Sequence, residues 1–174
     1  MKKFFFSIEA IMTVLNECYG MKGSQETGGI FIGPSAEDNI ITHAIPSSIY
    51  AERGFATYYQ SDEDVKILNK KIKQFFTKGE DFKGYWHKHP SGIIELSNGD
   101  INTCFGILNN PAYKINNNLL MTVISEGRGN MPLHSYLVSL RNDGIDIEDV
   151  SMVILPQSCI RSIWLNPTTT IKKG

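Results

Sequence analysis

The chain has 174 residues, with 41% hydrophobic and 20% charged side chains. These are the proportions of a soluble globular protein, and the length suits one domain with a core of its own. Seventeen Lys and Arg against eighteen Asp and Glu leave a formal net charge of −1, so there is no basic field for a phosphate backbone, which argues against sequence-independent nucleic-acid binding. The three cysteines, Cys18, Cys104 and Cys159, lie far apart and form no Cys-x-x-Cys pair. That argues against a disulfide framework or a thiolate zinc knuckle and for reduced, buried thiols.

At the amino end the apolar run is only Phe4–Phe6 and Glu9 follows, so no signal peptide is expected. No stretch approaches the ~20 apolar residues of a membrane span, and a cytoplasmic protein is expected. Residues 3–7 read as a first strand, and Ile8, Ile11, Met12, Val14, Leu15 and Tyr19 fall on helical spacing, predicting an amphipathic helix over 8–19. After a polar loop, 28–33 is a short apolar strand between glycines, with 39–45 as its hairpin partner and 34–38 as the turn. Residues 46–53 read as a loop and 54–59 as another strand. Ser61 precedes three acidic residues, the pattern of a capped helix start, and Val65, Ile67, Leu68, Ile72, Phe75 and Phe76 supply the buried stripe of a long helix. A strand over 82–89, a loop over 90–96 and a helix from Ser97 to about Leu108 follow. Then come an Asn-rich loop over 109–118, strands over 119–125 and 133–140, and a last short strand over 150–155. The pattern predicts one α/β domain over 1–174, a mixed β-sheet flanked by helices with its core at about 3–155, followed by a tail over 156–174 that frays from Thr168.

The densest chemistry is Tyr85-Trp86-His87-Lys88-His89-Pro90, followed by Ser97-Asn98-Gly99-Asp100. Residues i and i+2 of a strand share a face, so His87 and His89 can converge on one metal ion. Pro90 stops the strand directly after the pair. Asp100 falls in the first turn of the helix opened by Ser97, where the dipole favours a carboxylate, and it supplies a third ligand. Ser-x-x-Asp alone reads as a plain capping pattern; beside His-x-His-Pro the ligand reading is preferred. Two histidines and one carboxylate leave a fourth position for water, as in catalytic zinc sites. A hydrolase also needs a base. Glu26, just before Gly28 and Gly29, is the best candidate, because those glycines permit close approach to the histidine strand. Glu95 is the rival, ranked lower because it is expected to point outward from its loop.

The segments Glu26-Thr27-Gly28-Gly29-Ile30-Phe31-Ile32-Gly33, Gly84-Tyr85-Trp86-His87-Lys88-His89-Pro90 and Ser97-Asn98-Gly99-Asp100 resemble the motif of the JAMM/MPN+ (JAB-domain) metalloproteases, above all the small bacterial JAB proteins of ubiquitin-like conjugation systems. Lys88 departs from the Ser or Thr usual there. The resemblance implies a JAB/MPN fold of cytidine-deaminase-like type and one Zn2+ per chain on His87, His89 and Asp100. It makes Glu26 the general acid/base and Ser97 a hydrogen-bond donor to the water or the oxyanion. It further implies isopeptidase or peptidase action after the C-terminal glycine of a ubiquitin-like protein, whose tail docks as an added strand. Residues 54–59, Ala56 and Thr57 among them, and the loop 109–118 are the expected walls for that tail. Alternatives are a non-catalytic MPN scaffold and a zinc hydrolase of small amide conjugates. A zinc deaminase is rejected for want of Pro-Cys-x-x-Cys.

The remaining signals are weaker. His43 and His134 are assigned no ligand role, Trp86 is read as core opposite His87, and Lys88 as solvated at the strand end. Cys104 is read as a core thiol, Ser91 and Gly92 as possible shapers of the cleft rim. Oligomeric state is not legible in the sequence.

Overall fold

A computed structural model describes residues 1–21, 25–55, 57–89, 92–113, 115–127, 130–142 and 144–165. Strand β1 (Lys2–Ser7) leads directly into helix α1 (Ile8–Gly20), whose N-cap hydroxyl, Ser7, accepts from the Ala10 N–H at 3.0 Å. Ala10, Ile11, Val14 and Cys18 form the buried stripe of α1; of the stripe expected from the sequence Ile11 and Val14 belong to it, whereas Ile8, Met12 and Tyr19 are exposed. Each large side chain so buried contributes roughly 1.5–3 kcal/mol. Next come β2 (Gly28–Pro34), β3 (Ile40–Ile41) and β4 (His43–Pro46).

The expected hairpin partner of β2 is in fact two strands. Ile40–Ile41 pairs parallel with β1, whereas His43–Pro46 pairs antiparallel with β2. Thr42, between them, is buried; its N–H donates to the Ile32 carbonyl at 2.9 Å and its hydroxyl to Glu80 at 2.5 Å. The break lets one short segment serve both edges of the sheet.

Residues 52–59 form a hairpin, β5 (Glu52–Gly54) and β6 (Thr57–Tyr59), where a single strand over 54–59 is expected. Helix α2 (Asp62–Phe76) is capped by Ser61 as predicted. Strand β7 (Glu80–His89), helix α3 (Asn98–Leu108), a short 3-10 turn (Pro111–Tyr113), β8 (Asn118–Ser125) and β9 (Leu133–Arg141) follow. The last strand, β10 (Gly144–Leu155), is twice the expected length, because Ile145 and Ile147 extend its alternation back to the turn from β9. The segment after it is no simple tail. Helix α4 (Gln157–Leu165) buries Ile160 completely and packs on β1. Cys159 on α4 is exposed, against the expectation of three buried thiols, while Cys18 and Cys104 are buried.

The main sheet is mixed, with strand order β3-β1-β10-β9-β8-β7-β2-β4. Its two outermost strands are joined through Thr42 alone, so the sheet curls until its edges approach each other. One hydrophobic cluster lies under α1 and includes Phe4, Phe6, Phe31 and Trp86. The other lies under α2 and α3 and includes Ile30, Ile32, Leu68, Phe82, Cys104 and Ile107. The fold is thus α/β, a mixed sheet with four α-helices among the described residues, as the sequence pattern implies. No described helix is long and apolar enough to cross a membrane.

Candidate metal centre

Strand β7 carries the two histidines at its carboxyl end, between β2 and β8. Gly28 lies opposite His87 on the antiparallel side, and Ser125 opposite His89 on the parallel side. The β2–β7 register slips between Phe31 and Ile32, which pair with Gly84 and Phe82, leaving Lys83 as an extra residue. This bulge reverses the alternation of side chains along β7. Phe82, Tyr85 and the two histidines then face the α2–α3 side, and Trp86 lies in the core under α1.

The strand reaches its neighbours closely. A Cβ on Gly28 would stand 2.6 Å from Tyr58 Cε1, 2.7 Å from the Trp86 carbonyl oxygen and 2.9 Å from His87 Cβ. On Gly29 it would stand 2.1 Å from the Ile45 carbonyl oxygen. The pair of glycines is therefore the condition for β2 to lie against the histidine strand.

Asp100 arrives by topology. β7 and β8 are parallel, so the chain between them must return along the sheet, and α3 does so. A helix in that position begins near the carboxyl end of the first strand, which is where the histidines are. The turn is fixed by a reciprocal capping box: Ser97 Oγ accepts from the Asp100 N–H at 3.2 Å, and Asp100 Oδ2 accepts from the Ser97 N–H at 2.6 Å. Asp100 Oδ1 then lies 3.3 Å from His87 Nε2, and Oδ2 lies 3.3 Å from His89 Nε2. One ligand atom from each of the three residues falls within 4.8 Å of the other two. Two donors about 2.0–2.1 Å from a tetrahedral zinc ion stand about 3.3–3.4 Å apart, so the His–Asp separations fit such an ion. Among the described residues no other group of three or more His, Cys, Asp or Glu converges in this way.

The protonation states suit a cation. Burial pushes His87 down to about 4, opposed by Asp100, so its ring is neutral at physiological pH with a lone pair to give. Burial of Asp100 acts to raise its pKa but is outweighed by the hydrogen bond to His89, the charge of His87 and the bonds to Ser97, which hold it down at about 2. The Nδ1 of His89 is buried with no hydrogen-bond partner among the described residues.

Glu26 enters the same cleft from the segment before β2, and the residue is only 8% exposed. Its backbone is fastened on two sides: the Glu26 N–H donates to the Gly54 carbonyl at 3.0 Å, and the Lys88 N–H donates to the Thr27 carbonyl at 2.8 Å. Burial raises its pKa above the ordinary carboxylate value; His89 opposes the shift and Asp100 adds to it. Glu95 is exposed, and its carboxylate accepts from the neighbouring Ile94 N–H at 3.3 Å. Its outward placement agrees with the sequence reading.

The cleft holds about 700 Å3. Beyond His87, His89 and Asp100, Glu26 and Ser97, it is walled by Thr57 and Tyr58 of β6, by Tyr85 of β7, by Ile107 of α3 and by Tyr113 and Met121. Tyr58 stacks parallel to His87, with ring centroids 6.4 Å apart and planes 13° apart. Its hydroxyl bonds to Ser47 and accepts from Gln60 at 3.2 Å, and burial pushes its pKa up to about 12. Of the expected tail-binding walls, Thr57, Tyr58, Tyr59 and Tyr113 border the cleft, while Ala56 lies outside the described residues. So do Pro90 and Ser91, and Gly92 donates its N–H to Ser125 Oγ at 2.9 Å.

Lys88 corrects the sequence reading. It is 1% exposed, not solvated, and its Nζ lies 2.9 Å from Glu126 on the face opposite the histidines. His43 is apart from the cluster, against Thr42, Glu80 and Phe75. Sequence reasoning missed Arg53, which lies in what reads as an undistinguished loop. Nothing in its local pattern could have singled it out, because all its partners are remote along the chain or are backbone carbonyls.

No protein-family model matches the chain. Among curated proteins it is similar to the CD-NTase/cGAS isopeptidase of Enterobacter hormaechei subsp. hoffmannii (strain UCI 50), 27% identical over 137 residues, which are 79% of this chain and 75% of that protein. Among solved structures it is similar in fold to protein DSY2949 of Desulfitobacterium hafniense, with a TM-score of 0.62 at 14% identity, over 90% of this chain and 97% of the other.

Proposed function

We propose that the chain is a zinc-dependent hydrolase of isopeptide or peptide bonds, with the metal held by His87, His89 and Asp100. The observation that supports it most is the pair of 3.3 Å separations from the two imidazole Nε2 atoms to the two Asp100 oxygens, in a cleft that also holds a buried carboxylate, Glu26. Similarity to a protein named as an isopeptidase supports the choice of bond, and the JAMM-type motif supports a ubiquitin-like protein, through its C-terminal glycine, as the acyl partner.

When bound, zinc supplies a Lewis acid that polarises the carbonyl and lowers the pKa of water to about 7. The rest is the work of the chain. Glu26, raised in pKa by burial, accepts a proton from the attacking water and delivers it to the leaving amine, so that one water and one amide become one acid and one amine. Ser97 Oγ uses a lone pair on the Asp100 N–H, which leaves its hydrogen to donate to the carbonyl oxygen as negative charge develops there. Tyr58 walls the cleft beside His87 and limits water at the reacting centre. No acyl-enzyme is needed. Cys104 is buried in the helix α3 core, with its thiol pushed up to about 12, and takes no part as a nucleophile.

The test is metal content by mass spectrometry of the wild-type chain and His89→Ala, together with cleavage of an isopeptide-linked ubiquitin-like conjugate. About one zinc per wild-type chain, none in the variant, and cleavage by wild type alone is the expected result. No zinc in either after zinc is supplied would leave a scaffold. Zinc without cleavage of the conjugate, but with release of an amine from small acyl-lysine amides, would move the substrate class to small conjugates. The name of the 27% identical relative favours a second substrate class, a CD-NTase conjugate in place of a ubiquitin-like one. Conjugates of both kinds belong in the assay.

A further inference from the structure

The three clustered ligands are held by a strand end and a capped helix, but Glu26 lies before β2 begins, outside the regular sheet. Both its neighbours in the chain are bonded to one residue, Arg53. The Gln25 side-chain amide donates to the Arg53 carbonyl at 3.1 Å, and Arg53 Nε donates to the Thr27 hydroxyl at 3.0 Å. The Glu26 N–H donates to the carbonyl of Gly54, the residue next to Arg53.

The guanidinium is anchored on its other sides as well. Nη1 donates to the Ser48 and Ala51 carbonyls at 2.8 and 3.3 Å, and Nη2 to the Ser47 carbonyl at 2.9 Å. Nη2 lies 3.6 Å from the Glu17 carboxylate of α1, which also accepts the Thr27 hydroxyl at 2.9 Å. The Arg53 side chain is 12% exposed. These bonds link α1, the loop 47–51, the β5–β6 hairpin and the residues on either side of Glu26.

From this geometry we infer that Arg53 is the positioning residue for Glu26, tying the segment 25–27 to helix α1 through Glu17. The inference rests on the reading of Glu26 as the base. Arg53 works by placement and touches no reacting atom. Its planar fork spans three carbonyls, a hydroxyl and a carboxylate at once, whereas a lysine ammonium offers three donors from one point and cannot reach them together. Charge conservation by Arg53→Lys therefore does not restore the role.

The experiment compares zinc-loaded wild type, Arg53→Lys, Glu26→Gln and the double variant, with Glu17→Gln as a milder companion in case Arg53→Lys fails to fold. Amide hydrogen exchange read by NMR reports placement without turnover. In Arg53→Lys the Glu26 amide is expected to exchange about tenfold faster or more, with the β8 amides unchanged, and Glu17→Gln is expected to move it in the same direction. Hydrolysis of a Gly-Gly-ended peptide coupled to aminomethylcoumarin reports catalysis. There kcat is expected to fall about tenfold or more in Arg53→Lys with KM and zinc content unchanged, and to fall no further when Arg53→Lys is added to Glu26→Gln. Unchanged Glu26 exchange in both the Arg53 and Glu17 variants overturns the proposal, as does an equal loss of kcat from Arg53→Lys in both backgrounds. A wild-type rate in Glu26→Gln overturns the base assignment instead, and the exchange arm still decides whether Arg53 holds the segment.

Discussion

Gly28→Ala tests whether the closeness of β2 to β7 builds the centre. The added methyl carbon would stand 2.6 Å from Tyr58 Cε1, 2.7 Å from the Trp86 carbonyl oxygen and 2.9 Å from His87 Cβ. Ordinary carbon contacts begin about 1 Å further out. Two of the three obstacles are not free to yield: one is backbone of a central strand, and the other is the Cβ of His87, the proposed ligand on that strand. Tyr58 is held by Ser47 and Gln60. The strands must therefore part, at a cost of about 1–3 kcal/mol for overpacking. A shift of several tenths of an ångström at His87 exceeds the ~0.2 Å tolerance of a zinc bond, so zinc affinity is expected to fall about 10–100-fold, the range of outer-shell changes. Gly106→Ala, on an exposed position of α3 with nothing within 4 Å, is the control and is expected to stabilise by about 0.5–1 kcal/mol. Urea unfolding of the metal-free proteins and competition with a chelating dye measure the two effects. If Gly28→Ala unfolds within about 0.5 kcal/mol of wild type and competes for zinc equally well, the close approach does not build the site and the reasoning fails.

Three further outcomes follow from the geometry. Ser97→Gly retains most of the cap, at a cost of a few tenths of a kcal/mol, yet removes the only hydroxyl proposed to meet the oxyanion. Stability and zinc content should hold while kcat falls about 10²-fold, and an unaltered kcat would remove Ser97 from the chemistry. Ile160→Ala deletes a fully buried side chain of α4 and should cost about 2–5 kcal/mol in denaturant unfolding; a cost below about 0.5 kcal/mol would mean that α4 is not part of the core. In the metal-free protein, His87 titrates at about 4 against an ordinary 6.5, and Asp100 at about 2 against 3.8. Between the two His87 values the unfolded chain binds the extra proton, and between the two Asp100 values it does so again, so both terms destabilise the fold as pH falls. Unfolding free energy should therefore decline from about pH 6.5 downward and continue to decline to about pH 2. Constant stability between pH 6.5 and 4 would contradict the burial argument for His87.

Local patterns were enough to read much of this molecule. The helical span of α1, the Ser61 and Ser97 caps, the start of β2, the end of β8, and the pairing of His87 with His89 all follow from interactions within a few residues. The same holds for the pairing of Ser97 with Asp100, because a capping box spans only four residues. Other features depend on partners far along the chain. The segment 39–45 has one alternating pattern, but Thr42 is drawn to Ile32 and Glu80, and the strand divides to close the sheet. Lys88 reads as a solvated end residue until Glu126, just past the end of the neighbouring strand β8, supplies a partner.

The composition and short-range periodicity of the chain determine an α/β fold, its capped helices, and a histidine pair followed by an acidic helix start. Tertiary structure alone decides where these meet. The Lys83 bulge selects the face on which the histidines emerge, the parallel β7–β8 pairing returns α3 to the same end of the sheet, and the packing of β2 through Gly28 brings Glu26 alongside. The physical reason is that strand alternation and helix capping are satisfied within one element, whereas register, crossover and buried charge are satisfied only when remote elements supply the missing partner.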